Sequence, residues 1–346
     1  MITPVKHSAV SIGLAWLVAA LLVLALGVAG LCVGSSGWHS PWALWQLDEQ
    51  SWQIVWHMRA PRTVGTALVG ALLGLSGALA QGLFRNPLAE PYLLGSSSGA
   101  ALLLAVVLAS GLFAAQDTAA ATWWLRLGWT GVAFVGAVAG VALTLLMARG
   151  ALHTMRLLLA GVVVGVVLGA VTQLLMLWSA PVWRAMQSFM LGSTALLGWE
   201  ACGLMGVTLL VSLPVASSLS RVLDALSLCE DTARSLGVAL GWTRFALVAV
   251  MTLATAAVVA QVGLIAFVGL VAPHLARQWA GASHARLLVL STLAGAVLLM
   301  AADTLARSLL APQELPVGTV TAVLGGGYLL WLLWQKGPMG HEGRGA

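Results

Sequence analysis

From Ala9 to Val33 the chain carries no charged residue, and apolar stretches of similar length recur along it. Later ones fall near Val64 to Leu83, Leu93 to Ala115, Trp129 to Ala148, Leu157 to Trp178, Leu197 to Val215, Leu287 to Ala302 and Val317 to Trp334. A longer run extends from Phe245 to Pro273. A helix needs about 20 apolar residues to cross a bilayer. Inside lipid, each segment must satisfy its own backbone hydrogen bonds, which favours helices. The pattern predicts an all-α, polytopic membrane protein. Only 8% of the residues are charged and 60% are hydrophobic. No window of about 100 residues, the small end of ordinary domain size, is free of spans. We therefore read residues 1–346 as a single transmembrane domain without a separate catalytic domain.

The run from Phe245 to Pro273 is too long for one untilted helix and too short for two full spans. Arg221, Arg234 and Arg244 precede it, and Arg277 and Arg286 follow it. The excess of basic residues in cytoplasmic loops puts both flanks on the same side. The chain must then turn within the membrane or at its outer edge, and Gln261-Val262-Gly263 is the predicted break, between one full helix and one short one. About ten transmembrane segments result, with both termini cytoplasmic. Eleven basic residues then lie inside (Lys6, Arg85, Arg149, Arg156, Arg221, Arg234, Arg244, Arg277, Arg286, Lys336, Arg344). Five lie outside (Arg59, Arg62, Arg126, Arg184, Arg307). This asymmetry accounts for the net charge of +5 without nucleic acid.

Other features read as packing or interfacial. The first run is long enough for a retained span rather than a cleaved signal. Cys32, Cys202 and Cys229 are odd in number and widely spaced, so they read as packing residues, and no metal site is expected. Gly161, Gly165 and Gly169 share one helix face, as do Gly70 and Gly74, which suits close helix contact. Trp38, Trp42, Trp45, Trp52 and Trp56 read as an interfacial belt.

The longest polar interruption is Ser217 to Thr243, a cytoplasmic handle. Within it CEDTARSLG reads as a short helix, with Glu230 and Asp231 at its start and Gly237 as a cap. It reads either as a solvated surface helix or as a segment that seats in a groove on a soluble partner.

Three stretches carry a resemblance to a known family. They are RAPRTVGTALVGALLGLSGALAQGLFRNPLAEPYLLGSSSGA from Arg59, RLLLAGVVVG from Arg156, and GLIAFVGLVAPHLAR from Gly263, which continues through AADTLARSLLAPQELPVGTVTAVLGG to Gly326. Together they resemble the FecCD-type permeases, membrane subunits of type II ABC importers for ferric siderophores, haem and cobalamin. The resemblance implies ten helices, a homodimer with the path along its twofold axis, two ATPase subunits below and a periplasmic binding protein above. It implies that Asp231, Ala233, Arg234, Leu236 and Gly237 form the coupling helix for the ATPase. By the same likeness Arg59, Arg62 and Arg307 match arginines that dock the binding protein. For these, snorkelling or an i,i+4 pair of Arg307 with Asp303 remains open. Asn86, Leu88, His153 and Thr154 fall in loops at a cytoplasmic gate, for which ordinary helix-breaking loops are the alternative. Thr172 and Gln173 are the few polar groups expected along the path. His274 reads as making a structural hydrogen bond at a helix end.

The predicted function is an importer permease that moves an iron chelate, haem or a ferric siderophore, by alternating access across the bacterial inner membrane. Cobalamin is the alternative substrate. Neither Lys6 nor Lys336 follows a phosphate-binding glycine loop, so ATP and Mg are expected at the separate ATPase and no cofactor on this chain. An ion-coupled secondary transporter would carry acidic or histidine relays at mid-span, whereas Glu90 and Glu314 fall in loops and Asp303 near an outer end. No enzyme constellation is found at membrane depth.

Overall fold

The computed structural model of the protein describes residues 9–34, 37–38, 48–111, 121–151, 153–228, 235 and 239–335. Twelve helices order the described residues. They are α1 (Ala9–Cys32), α2 (Glu49–Phe84), α3 (Ser96–Ala109), α4 (Ala121–Met147), α5 (Thr154–Trp178) and α6 (Ala180–Leu191). Then come α7 (Trp199–Ser218), α8 (Ser220–Leu228), α9 (Leu240–Val262), α10 (Val268–Ala280), α11 (His284–Ser308) and α12 (Val317–Gln335). Seven of them are long and apolar enough to cross a membrane. With α1, the shorter apolar α3 and the half-length α10, ten segments follow. Val33–Gly34 and Gly37–Trp38 form a two-residue hairpin.

The predicted break is present. Helix α9 stops at Val262, Gly263 turns with φ 72°, and α10 starts only at Val268. Backbone that leaves a helix at this depth needs partners within the protein. It finds them in the last turn of α6 and the segment after it, to which the start of α12 is bonded in turn. Leu264 N donates to Phe189 O at 3.0 Å, Ser193 N to Val262 O at 2.9 Å, and Gly318 N to Gly192 O at 3.2 Å. Only glycine fits at Gly263, because a Cβ would strike the Phe189 carbonyl.

The core is built on close backbone contact. A Cβ on Gly70 would collide with the Gly295 carbonyl, and one on Gly74 with that of Ser291, so α2 and α11 lie nearly in backbone contact. Gly161 presses on the Leu93 carbonyl in the 3-10 turn Pro91–Leu94. Gly169 meets no neighbour within this chain, since a Cβ there would find nothing within 4 Å. Cys32 and Cys202 are buried, and Cys202 Sγ lies 3.1 Å from Pro61 O.

Three boundaries differ from the sequence reading. Helix α2 starts at Glu49 rather than Val64, capped by the Asp48 carboxylate on Ser51 N at 3.3 Å, and relaxes into a π-helical turn over Val55–Arg59. That cap holds the Asp48 carboxyl below its usual range. Helix α6 was not predicted, because Arg184 and Gln187 interrupt its apolar pattern. Its buried Val182 and Met186 fall on one face at i,i+4. The first half of the handle is helical as α8, while Asp231, Ala233, Arg234, Leu236 and Gly237 lie outside the described residues, as do Trp42, Trp45 and Cys229.

Candidate functional site

Two regions gather the predicted site residues. At the end of the bundle away from the handle, four ionised side chains from α2, α11 and the turn before α12 meet. Arg62 places Nε and Nη2 on Asp303 Oδ1 at 3.2 and 3.0 Å, and Nη1 on Glu314 Oε2 at 2.7 Å. Thr194 donates to the same Asp303 oxygen at 2.6 Å. Arg307 Nη2 lies 2.7 Å from Asp303 Oδ2, one helical turn away. Its Nη1 reaches the Gly30 and Val33 carbonyls at 3.0 and 3.3 Å, and Arg59 Nη1 reaches Leu31 O at 3.1 Å. The C-terminal turn of α1 exposes carbonyls with no partner in the helix and carries the negative end of its dipole. Two arginines therefore cap it.

The three predicted docking arginines are thus brought together but are not equivalent. Arg307 is 3% exposed, and its guanidinium is spent on Asp303 and on α1. The i,i+4 pair left open by the sequence is present. Arg62 is balanced by two carboxylates. Arg59 is half-buried and, among the described residues, pairs with no carboxylate. Beside it Trp56 and Trp199 lie with ring centroids 5.2 Å apart, and Trp199 Nε1 donates to Trp56 O at 3.0 Å.

The second region is a cleft of about 780 Å³ between α5 and α6. Gln173, Leu177, Trp183, Gln187 and Met190 line it. Thr172, predicted beside Gln173 on the path, is fully buried and donates to Leu168 O at 2.8 Å. Adjacent positions on a helix differ by about 100°, so only Gln173 faces the cleft. Gln187 and Trp183 were missed with the helix that carries them.

At the handle end, Arg85 turns left-handed and ends α2. Asn86 Oδ1 then accepts Leu88 N at 2.9 Å, a local turn that leaves Leu88 58% exposed. His153 occupies the N-cap position of α5 without a capping side-chain bond, and Thr154 is its first residue. Both predicted gate loops therefore open at the same end.

The segment after Leu88 re-enters the protein, and the Glu90 carboxylate accepts Phe267 N at 3.3 Å. Phe267 is left-handed at φ 68°, uncommon for a bulky residue. Glu90, read as a loop residue, anchors that turn. His274 sits in mid-helix rather than at an end, with its ring T-shaped to Tyr328 at a centroid distance of 5.9 Å.

Comparison with known proteins agrees with this architecture. The FecCD transport family matches residues 21–335. The vitamin B12 import system permease protein BtuC of Salmonella paratyphi A is 40% identical over 325 residues, 93% of this chain and 95% of that protein. The hemin transport system permease protein HmuU of Yersinia pestis is 36% identical over 327 residues, with the same coverage. A metal-chelate type ABC transporter solved in an inward-facing conformation superposes with TM-score 0.81 at 30% identity, over 92% of this chain and 97% of that one. PsaBC from Streptococcus pneumoniae shares the fold at TM-score 0.55 and 16% identity, over 78% of this chain and 88% of that one. The fold is that of a type II ABC importer permease, and the chain belongs to the FecCD transport family.

Proposed function

We propose that the chain is the permease subunit of an ATP-driven importer of the bacterial inner membrane, and that its cargo is an iron chelate, haem ahead of ferric siderophores. The observation that carries the reading is the cleft between α5 and α6. Its wall is apolar apart from Gln173, Gln187 and the Trp183 indole, which suits a large, weakly polar cargo that crosses intact. Helix α5 presents Val163, Val166, Leu177 and Trp178 outward beside it. A second copy seated on that face encloses the path, and Leu88 and Thr154 narrow its cytoplasmic mouth. Both termini are cytoplasmic, and no cofactor is held by this chain. Two ATPase subunits bind ATP and Mg and engage Ser217 to Thr243 through Asp231, Ala233, Arg234, Leu236 and Gly237. A periplasmic binding protein docks over the arginine cluster, with Arg59 as the leading contact because, among the described residues, it alone of the three pairs with no carboxylate.

Cobalamin is the second reading, favoured by the name of the BtuC relatives. The test is growth and uptake in a deletion strain given haem, a ferric siderophore or cobalamin in turn as the sole source of the limiting nutrient. Loss on haem alone supports the leading reading, and loss on cobalamin alone replaces it. An intact phenotype on all three overturns the substrate class.

A further inference from the structure

Helix α8, the described half of the handle, is fastened to the first residue of α11. Asp224 Oδ1 accepts the His284 backbone N–H at 2.9 Å and faces its Nδ1 at 2.6 Å. Such a pair needs a proton on Nδ1. His284 is buried, and its ring abuts the last turn of α2, where a Cβ on Gly82 would stand 3.4 Å from Nε2. Three elements therefore converge on one imidazole. From that point α11 runs as 25 residues of continuous helix to the arginine cluster, held against α2 through Gly70 and Gly74. A helix gripped at its start, middle and end transmits displacement rather than absorbing it.

We propose that His284 is a positioning residue that couples movement of α8 to α11, so that a push on the handle reaches the Arg62, Asp303 and Arg307 cluster through one helix. This rests on the permease reading. Without the tie, α8 would meet α11 through apolar packing such as that of Leu223 against Leu287, which is non-directional.

The test uses the complex that an affinity-tagged chain carries out of its native membranes, reconstituted in liposomes. The reporter is a maleimide reacting with Leu309→Cys, exposed at the far end of α11 beside Arg307, in a Cys229→Ser background, with and without ATP plus vanadate. Trapped ADP is counted in parallel. In the parent, trapping should change the labelling rate by at least about fivefold, the lower end of coupling between linked sites. His284→Leu should trap ADP yet lose that change. His284→Asn, whose amide can donate from near the Nδ1 position, should keep it. An unaltered change in His284→Leu overturns the proposal, and so does equal loss in both variants, which marks a packing role alone. If His284→Leu does not assemble, Asp224→Ala, which removes the accepting oxygen, replaces it, with loss of the change expected and an unaltered change again overturning the proposal. A parent that traps no ADP instead overturns the permease reading beneath it.

Discussion

Arg62 crosses 241 positions of sequence to set two nitrogens on a single oxygen of Asp303. Arg307 holds the second oxygen, so one buried carboxylate balances parts of two guanidinium groups. Removing one partner of a buried ion pair leaves the other charge uncompensated, which costs about 3–5 kcal/mol. Asp303→Ala should therefore lower the thermal stability of the purified protein sharply, and Thr194→Val far less. An Asp303→Ala variant that melts with the parent would mean that the cluster contributes little to stability.

Docking should depend chiefly on Arg59. Charges on the rim steer encounter more than they set affinity. Arg59→Glu should slow association of the binding protein by about tenfold or more at low salt, with the difference shrinking as salt is added. Surface plasmon resonance on nanodiscs reads this directly. Equal association rates would return Arg59 to a purely structural role at the end of α1.

The glycines divide into two classes by what surrounds them. Gly74→Ala drives a methyl group into the Ser291 carbonyl and should cost about 1–3 kcal/mol, as overpacking does. Gly169→Ala meets open space and should be neutral or mildly stabilising. Melting curves of the two variants side by side decide the point, although both residues belong to the same kind of sequence stripe.

Along the cleft, Gln187→Trp should reduce uptake strongly, and Thr172→Val should leave it near the parent level. The Thr172 hydroxyl is already spent within its own helix. Uptake of radiolabelled cargo into whole cells distinguishes the two. A defect in Thr172→Val matching that of Gln187→Trp would place the path on the other face of α5.

These contrasts show what the sequence can convey. The break at Gly263 was legible because two basic flanks had to lie on one side of the membrane. The pair of Asp303 with Arg307 was legible because it is local, one helical turn apart. Arg62, Thr194 and Glu314 join that carboxylate from distant positions, with no periodicity to announce them. The choice between Thr172 and Gln173 depends on the rotation of a helix that is apolar almost all round, which carries no amphipathic signal. Helix α6 is too short and too interrupted to register as a span. Its Arg184 and Gln187 disguise it as a loop.

The three main-chain bonds that join Phe189, Gly192 and Ser193 to Val262, Leu264 and Gly318 have a mechanical consequence. They contain no side-chain atoms, so substitution cannot tune them one at a time. Pulling any one strand away strands the donors and acceptors of the others in a medium without water. Helices α6, α9 and α12 are keyed together at that junction, so displacing any one of them strains its bonds to the others. The side chains that line the cleft contribute no atom to these bonds, so they can vary without disturbing the junction.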